Sequence, residues 1–215
     1  AAAFSFFGNK VLTSGEGGAV SLNDPLLQKR MSMLRGQGMD PNRRYHFPIV
    51  GFNYRMTNVA AAILCGQLER RHEMLARRQE IVELYSRELV AIPGIILRED
   101  ASWATPSPWL ACCLVHREQF GCDRDQLAEA LRDHGIDSRP LFEPLHQLPP
   151  YRQAARERGT RLPVTDRLAG AGLMLPTYPQ LTDDDVRAIC DCIHETGRAS
   201  RGRRQQTSRQ HRRAA

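Results

Sequence analysis

Lys10 is the side chain in this sequence with the widest chemical reach. A primary amine can condense with a carbonyl to form a Schiff base, and it can carry a proton, once its surroundings favour the neutral form. A lysine after a Gly-Asn turn is ordinarily solvated, so its setting decides the matter. Lys10 follows the apolar run Phe4-Ser5-Phe6-Phe7 and the turn Gly8-Asn9. It precedes Val11-Leu12-Thr13, the turn Ser14-Gly15-Glu16-Gly17-Gly18 and the strand-like Ala19-Val20-Ser21-Leu22. An amine between two apolar strands is expected to be buried on at least one side. Gly15, Gly17 and Gly18 then allow the backbone to pass close to it. No helix begins directly after this turn, so it lacks the form of a phosphate-cradling glycine loop.

The elements that must position Lys10 follow from turn and periodicity signals. Asn23-Asp24-Pro25 predicts a helix start, with Pro25 at the first helical position and an end near Gly36. Residues 36–56 are rich in Gly, Pro, Asn and Arg and predict a long irregular loop, a kind that tends to be functional or disordered. From about Thr57 to Val90 an apolar stripe including Ile63, Leu64, Leu68, Ile81 and Leu84 predicts one long helical region.

After Pro93-Gly94 the pattern becomes that of a small α/β unit. Ile95-Ile96-Leu97, Trp109 to Val115 and Leu173-Met174-Leu175 read as strands. Asp123 with Gln126 reads as a helix cap, and that helix should end at Gly135. Thr182 starts a final helix with Val186, Ile189, Cys190 and Ile193 on one face. The expected organisation is residues 1–90 as the end of one domain, 91–197 as a second, and 198–215 as a disordered basic tail.

The net charge of +6 raises the question of a nucleic-acid partner, and its location answers it. Seven of the 30 basic residues lie in 198–215, where there is no acid, so the rest of the chain carries 23 basic against 24 acidic residues. Nucleic acid is therefore not the expected partner. No apolar run approaches the roughly 20 residues a membrane helix needs. Cys65, Cys112, Cys113, Cys122, Cys190 and Cys192 form no Cys-x-x-Cys pair, which fits scattered buried thiols in a reducing compartment such as the cytoplasm. The chain opens on Ala1-Ala2-Ala3-Phe4, read as the inside of a strand, and a preceding segment is expected.

Three ordered blocks carry a resemblance. The first is Phe4 to Lys10 followed by Thr13-Ser14-Gly15-Glu16-Gly17-Gly18. The second runs from Arg35-Gly36-Gln37-Gly38 through Gly51-Phe52-Asn53-Tyr54-Arg55-Met56-Thr57-Asn58. The third is Gly135-Ile136 through Ser138-Arg139-Pro140-Leu141-Phe142 to Pro144-Leu145-His146. Together they resemble the DegT/DnrJ/StrS family of nucleotide-sugar aminotransferases, and within it the GDP-perosamine synthase-like 4-aminotransferases.

The resemblance implies an α/β architecture, the PLP-dependent transferase fold type I, here the end of the large domain plus the small C-terminal α/β domain. It implies pyridoxal 5'-phosphate as cofactor, bound to Lys10, with glutamate as amino donor and a 4-keto-6-deoxy sugar nucleotide as acceptor. It further implies a homodimer with shared active sites. Ser5 would donate to the cofactor phosphate, as would Asn53 from the neighbouring subunit. Arg55 would meet a donor carboxylate or a sugar phosphate, unless it pairs with an acidic residue. Arg139 and His146 would face the sugar nucleotide, the alternatives being a surface ion pair and a packed loop histidine. Glu143 stands where many relatives have an aromatic residue. The family's acidic partner for the pyridine nitrogen and its ring-stacking residue belong to a segment before residue 4, so the chain alone is expected to be inactive. Two other readings are weighed: a same-fold sugar dehydratase, against which Lys10 argues, and a non-catalytic piece whose basic tail binds polyanions.

Overall fold

The computed structural model describes residues 1–214 and, beyond Arg204, only the side chain of Gln206. The chain divides into two compact units, Ala1–Leu75 and Ala76–Ala215.

In the first unit, β1 (Ala2–Ser5) and β2 (Gly18–Ser21) pair antiparallel, with Phe4 opposite Ala19 and Ser5 opposite Gly18. The 6–17 segment between them carries Lys10. Val11-Leu12-Thr13 lies in that loop and is not a strand, so the expected two strands flanking Lys10 are β1 and β2 alone. Helix α1 (Pro25–Arg35) starts as its sequence dictates: Asp24 Oδ1 accepts from the Leu26 and Leu27 amides at 2.8 and 3.2 Å, and Gly36 caps the other end. Helix α2 (Asn58–Glu69) is capped by Thr57, whose Oγ1 accepts from Ala60 N at 3.2 Å.

The expected single helix from 57 to 90 is two. Arg70 ends α2, and α3 (Arg71–Leu89) begins directly after it. The break falls within Glu69-Arg70-Arg71-His72-Glu73, where the apolar stripe is interrupted and nothing holds the helix to a core. The boundary expected at residue 90 also moves. Ile81, Leu84, Tyr85 and Leu89 of α3 are buried in the core of the second unit, which takes that stretch of helix into it.

The second unit is built on a four-stranded antiparallel sheet. Its strands are β3 (Ile95–Leu97), β4 (Ala111–Val115), β5 (Arg139–Pro140) and β6 (Gly172–Leu175), in the order β3-β4-β6-β5. Burial along β4 alternates as one covered face requires, with Ala111, Cys113 and Val115 inside. Central β6 is buried at every position. A short helix α4 (Arg117–Phe120) leads to α5 (Arg124–Asp133), which opens with the expected capping box of Asp123 and Gln126. Pro149 and Pro163 start two further helices, α6 (Pro149–Glu157) and α7 (Pro163–Ala171), which expose most of their surface. Helix α8 (Asp183–Ala214) packs on α5 and buries Val186, Ile189, Cys190 and Ile193. Each such fully buried aliphatic side chain contributes about 1.5–3 kcal/mol.

The disordered tail expected from residue 198 is corrected: α8 runs through that point without a break. Ser200 is buried, Arg201 Nη1 donates to Phe120 O at 3.4 Å, and Arg204 Nη1 donates to Arg117 O at 3.0 Å. Those carbonyls belong to α4, where Arg117 O also accepts from Gly121 N at 2.9 Å, and they give the arginines a structural partner. The side chains of Arg209, Arg212 and Arg213 lie outside the described residues.

Arg78 is the polar exception in the core. Its guanidinium is buried and donates from Nη1 to Trp109 O at 2.7 Å and Thr177 O at 2.6 Å. Thr177 in turn accepts from Ala111 N at 2.8 Å through Oγ1, so α3 is tied to the starts and ends of β4 and β6. Burial lowers the Arg78 pKa from its ordinary value. Replacing Arg78 by Met strands two carbonyls and should cost about 3 kcal/mol in urea unfolding monitored by circular dichroism. A loss under about 0.5 kcal/mol would contradict this clamp.

Cys65 is exposed, whereas burial pushes the Cys113 and Cys190 thiols up to about 12. Iodoacetamide at pH 8 on the native protein should therefore label Cys65 and spare Cys113 and Cys190, as read by peptide mass mapping.

Candidate active site

The loop that carries Lys10 is closed at one residue. Phe6 N donates to Gly17 O at 2.9 Å, while Phe6 O accepts from Ser14 N at 3.0 Å and from Thr13 Oγ1 at 2.8 Å. Within the closed loop, Lys10 N donates to Phe7 O at 2.9 Å, and Phe7 N donates to Ser5 Oγ at 3.4 Å. Ser5 and Lys10 are thus each linked to Phe7, by two successive turns of one hairpin. The Lys10 side chain is half-buried, and Ser14 beneath the loop is buried with its hydroxyl donating to Glu16 O at 2.7 Å.

The glycines of the turn lie against Phe4 and Met56, not against Lys10, and Gly15 faces open space. Gly17 has φ +139°, and a Cβ there would lie 2.7 Å from Met56 Cε; a Cβ on Gly18 would lie 2.8 Å from Phe4 O. A side chain at Gly18 would press on the backbone of the paired strand, whereas at Gly17 the left-handed φ is the constraint, since the Met56 methyl can move aside. One anchor had no signal in the sequence. Gln67 of α2 accepts from Thr13 N through Oε1 at 2.7 Å and so fastens the loop to a helix. A glutamine on a helix carries no mark that tells an anchor from a solvated residue.

Asn53 and Arg55 lie on the strand-like return of the 36–56 loop along the end of α1. Asn53 bridges Gly36, Gln37 N donates to Phe52 O at 2.9 Å, and Tyr54 N donates to Arg35 O at 3.1 Å. This register alternates the side chains, and Phe52 and Tyr54 stack with centroids 4.9 Å apart. Both rings and Asn53 are exposed. Arg55 lines an open cavity of about 770 Å³ with Lys29, Arg35, Asp40 and Arg44, a predominantly cationic wall suited to an anion.

The other two predicted residues belong to the second unit. Arg139 is exposed on β5 and pairs with Asp137 at 3.5 Å, the surface ion pair held open as its alternative. Such a pair is worth about 0–1 kcal/mol and leaves the guanidinium free to exchange partners. His146 sits in a 3-10 turn, Leu145–Gln147, with Nε2 2.9 Å from Asp166 Oδ1.

An antiparallel hairpin presenting a lysine, with a helix-flanked return loop and a small antiparallel α/β unit, is the architecture of sugar aminotransferases. TlmJ of Streptoalloteichus hindustanus superposes with a TM-score of 0.81 at 28% identity, over 92% of this chain and 52% of that one. PseC of Helicobacter pylori, an aminotransferase of pseudoaminic acid biosynthesis, gives 0.83 at 25% identity, over 92% and 53%. The chain belongs to the DegT/DnrJ/EryC1/StrS aminotransferase family, whose model matches residues 1–194. The aminotransferases of this family depend on pyridoxal phosphate. The GDP-perosamine synthase of Caulobacter vibrioides is 44% identical over 194 residues, 90% of this chain and 52% of that protein. That of Vibrio cholerae is 40% identical over 190 residues, 88% and 51%. The chain spans about half the length of the curated relatives it matches.

Removing the Gln67 anchor tests the loop closure. In Gln67→Leu, hydrogen exchange at the Thr13 amide should accelerate about tenfold, as loss of one interaction of about 1.4 kcal/mol requires. Unchanged protection would show that the loop holds itself shut without α2.

Proposed function

We propose that this chain carries the cofactor-lysine half of a sugar-nucleotide aminotransferase that moves an amino group from glutamate to a 4-keto-6-deoxy sugar nucleotide in the cytoplasm. The observation that carries the reading is the placement of Lys10, half-buried on a loop closed at Phe6 and joined by turns to the Ser5 hydroxyl. The two GDP-perosamine synthases, at 44% and 40% identity, support the substrate class.

The residues fit pyridoxal phosphate on the chemistry of their donors. Lys10 offers the amine that an aldehyde requires, and Ser5 and Asn53 offer uncharged donors for a phosphate without adding buried charge. When bound, the cofactor supplies the electron sink for the carbanion at the amino-acid Cα. Lys10 Nζ would hold the cofactor and would carry the proton at the donor Cα. Arg55 supplies a charge for a carboxylate or phosphate, and Arg139 and His146 orient the sugar nucleotide. Assembly as a homodimer would place Asn53 in the neighbouring subunit's site. The exposed apolar surface of the first unit, including Phe4, Val20, Leu26, Phe52 and Tyr54, supports such burial on assembly.

In the full-length protein, Lys10→Ala should lower transamination with glutamate by at least about 10³-fold, the order expected when a positioned acid-base group and its covalent link are both lost. Turnover within tenfold of wild type would sink the assignment.

A further inference from the structure

His146 is oriented by a carboxylate that no sequence signal marks. Its Nε2 stands 2.9 Å from Asp166 Oδ1, and its side chain is only 15% exposed. The same oxygen accepts from the neighbouring Gln147 Nε2 at 2.6 Å. Asp166 lies in the first turn of α7, right after the start at Pro163, so the carboxylate is presented by a helix end and not by a mobile loop. An ionised carboxylate only accepts hydrogen bonds. Its contact to Nε2 therefore fixes the proton on that nitrogen and leaves Nδ1 as the acceptor of a neutral ring. His146 also lines an open cavity of about 340 Å³ with Arg152, Arg156 and Thr160, which gives the imidazole access to a ligand.

We infer that Asp166 is the positioning residue for His146, holding it as the Nε2–H tautomer so that Nδ1 accepts a hydrogen bond from a hydroxyl of the sugar nucleotide. This rests on the reading of His146 as a substrate-binding residue. The competing role for Asp166 is purely structural, a clamp that fastens the 3-10 turn to α7 through Gln147. That role predicts loss of stability without any effect on the ring's proton.

Two measurements separate these. Long-range proton–nitrogen correlation on histidine-labelled protein at pH 8 should show His146 protonated at Nε2. Asp166→Ala should populate the other tautomer, and Asp166→Asn, which keeps an acceptor oxygen, should restore the first. A wild-type spectrum with the proton on Nδ1 overturns the inference and needs no variant to fold. In the full-length enzyme, His146→Gln and Asp166→Ala should each raise KM for the sugar nucleotide about tenfold and change kcat less than about twofold, as lost uniform binding does. The double variant should be no worse than His146→Gln alone. Gln147→Met, which loosens only the clamp, should leave that KM within about twofold. Additive losses in the double variant would show that Asp166 acts otherwise than through His146, and the inference falls. An unchanged KM in His146→Gln beside an Asp166-dependent tautomer overturns the substrate role alone, which distinguishes the two failures.

Discussion

The closure of the 6–17 loop on the backbone of Phe6 is the constraint on which the site depends. Phe6 O receives Thr13 and Ser14 and Phe6 N reaches Gly17, so the loop is cinched at a single residue. Within it, two turns link Ser5 to Lys10 through Phe7. The backbone that carries Lys10 is therefore held by main-chain hydrogen bonds, which do not depend on the rotamer of any long side chain. Gly17 is favoured by its φ of +139°, and Gly18 because Phe4 O occupies the space a side chain would need. The contact of Thr13 with Gln67 extends the constraint to α2. A lysine on an open loop would have the same sequence neighbours and none of this order.

The second unit solves a different problem. Its core of Tyr85, Phe120, Leu127, Leu131, Leu173 and Ile193 is closed over the sheet by α3, α5 and α8. Into it α3 inserts one charge, Arg78, whose Nη1 donates to the Trp109 and Thr177 carbonyls. Burying a guanidinium is costly unless its donors are used; here Nη1 serves two carbonyls beside the strand ends, while Nε is buried without a partner. The exposed helices α6 and α7 then frame the 3-10 turn that bears His146. Rigid core and exposed frame are thus divided along the chain, the first specified by hydrophobic burial and the second by turns and proline starts.

Much of this was legible in the residues. Asp24-Pro25, Thr57, Asp123 with Gln126, and Thr182 name the helix starts because capping is local and depends on a few neighbouring side chains. The strands at Ile95, Ala111 and Gly172 were readable from short apolar runs. Lys10 and Ser5 were singled out only through the resemblance of the blocks around them, and their roles stand as proposals. What was hidden depends on tertiary contact. The break at Arg70 arises where an apolar stripe loses its core, and the helix beyond residue 197 meets carbonyls of α4 more than eighty residues away. Gln67 and Asp166 are ordinary polar residues on helices until the segments they hold are packed beside them. Helices α6 and α7 were missed because their exposed surfaces give little hydrophobic periodicity.

The central claim is that Lys10, and no other lysine, is the amine that holds the cofactor. Borohydride reduction of the full-length protein loaded with pyridoxal phosphate, followed by peptide mass mapping, tests it most directly. The account predicts the cofactor-sized increment on the peptide containing Lys10, with Lys29 unmodified. An increment on Lys29 with Lys10 unmodified would contradict it.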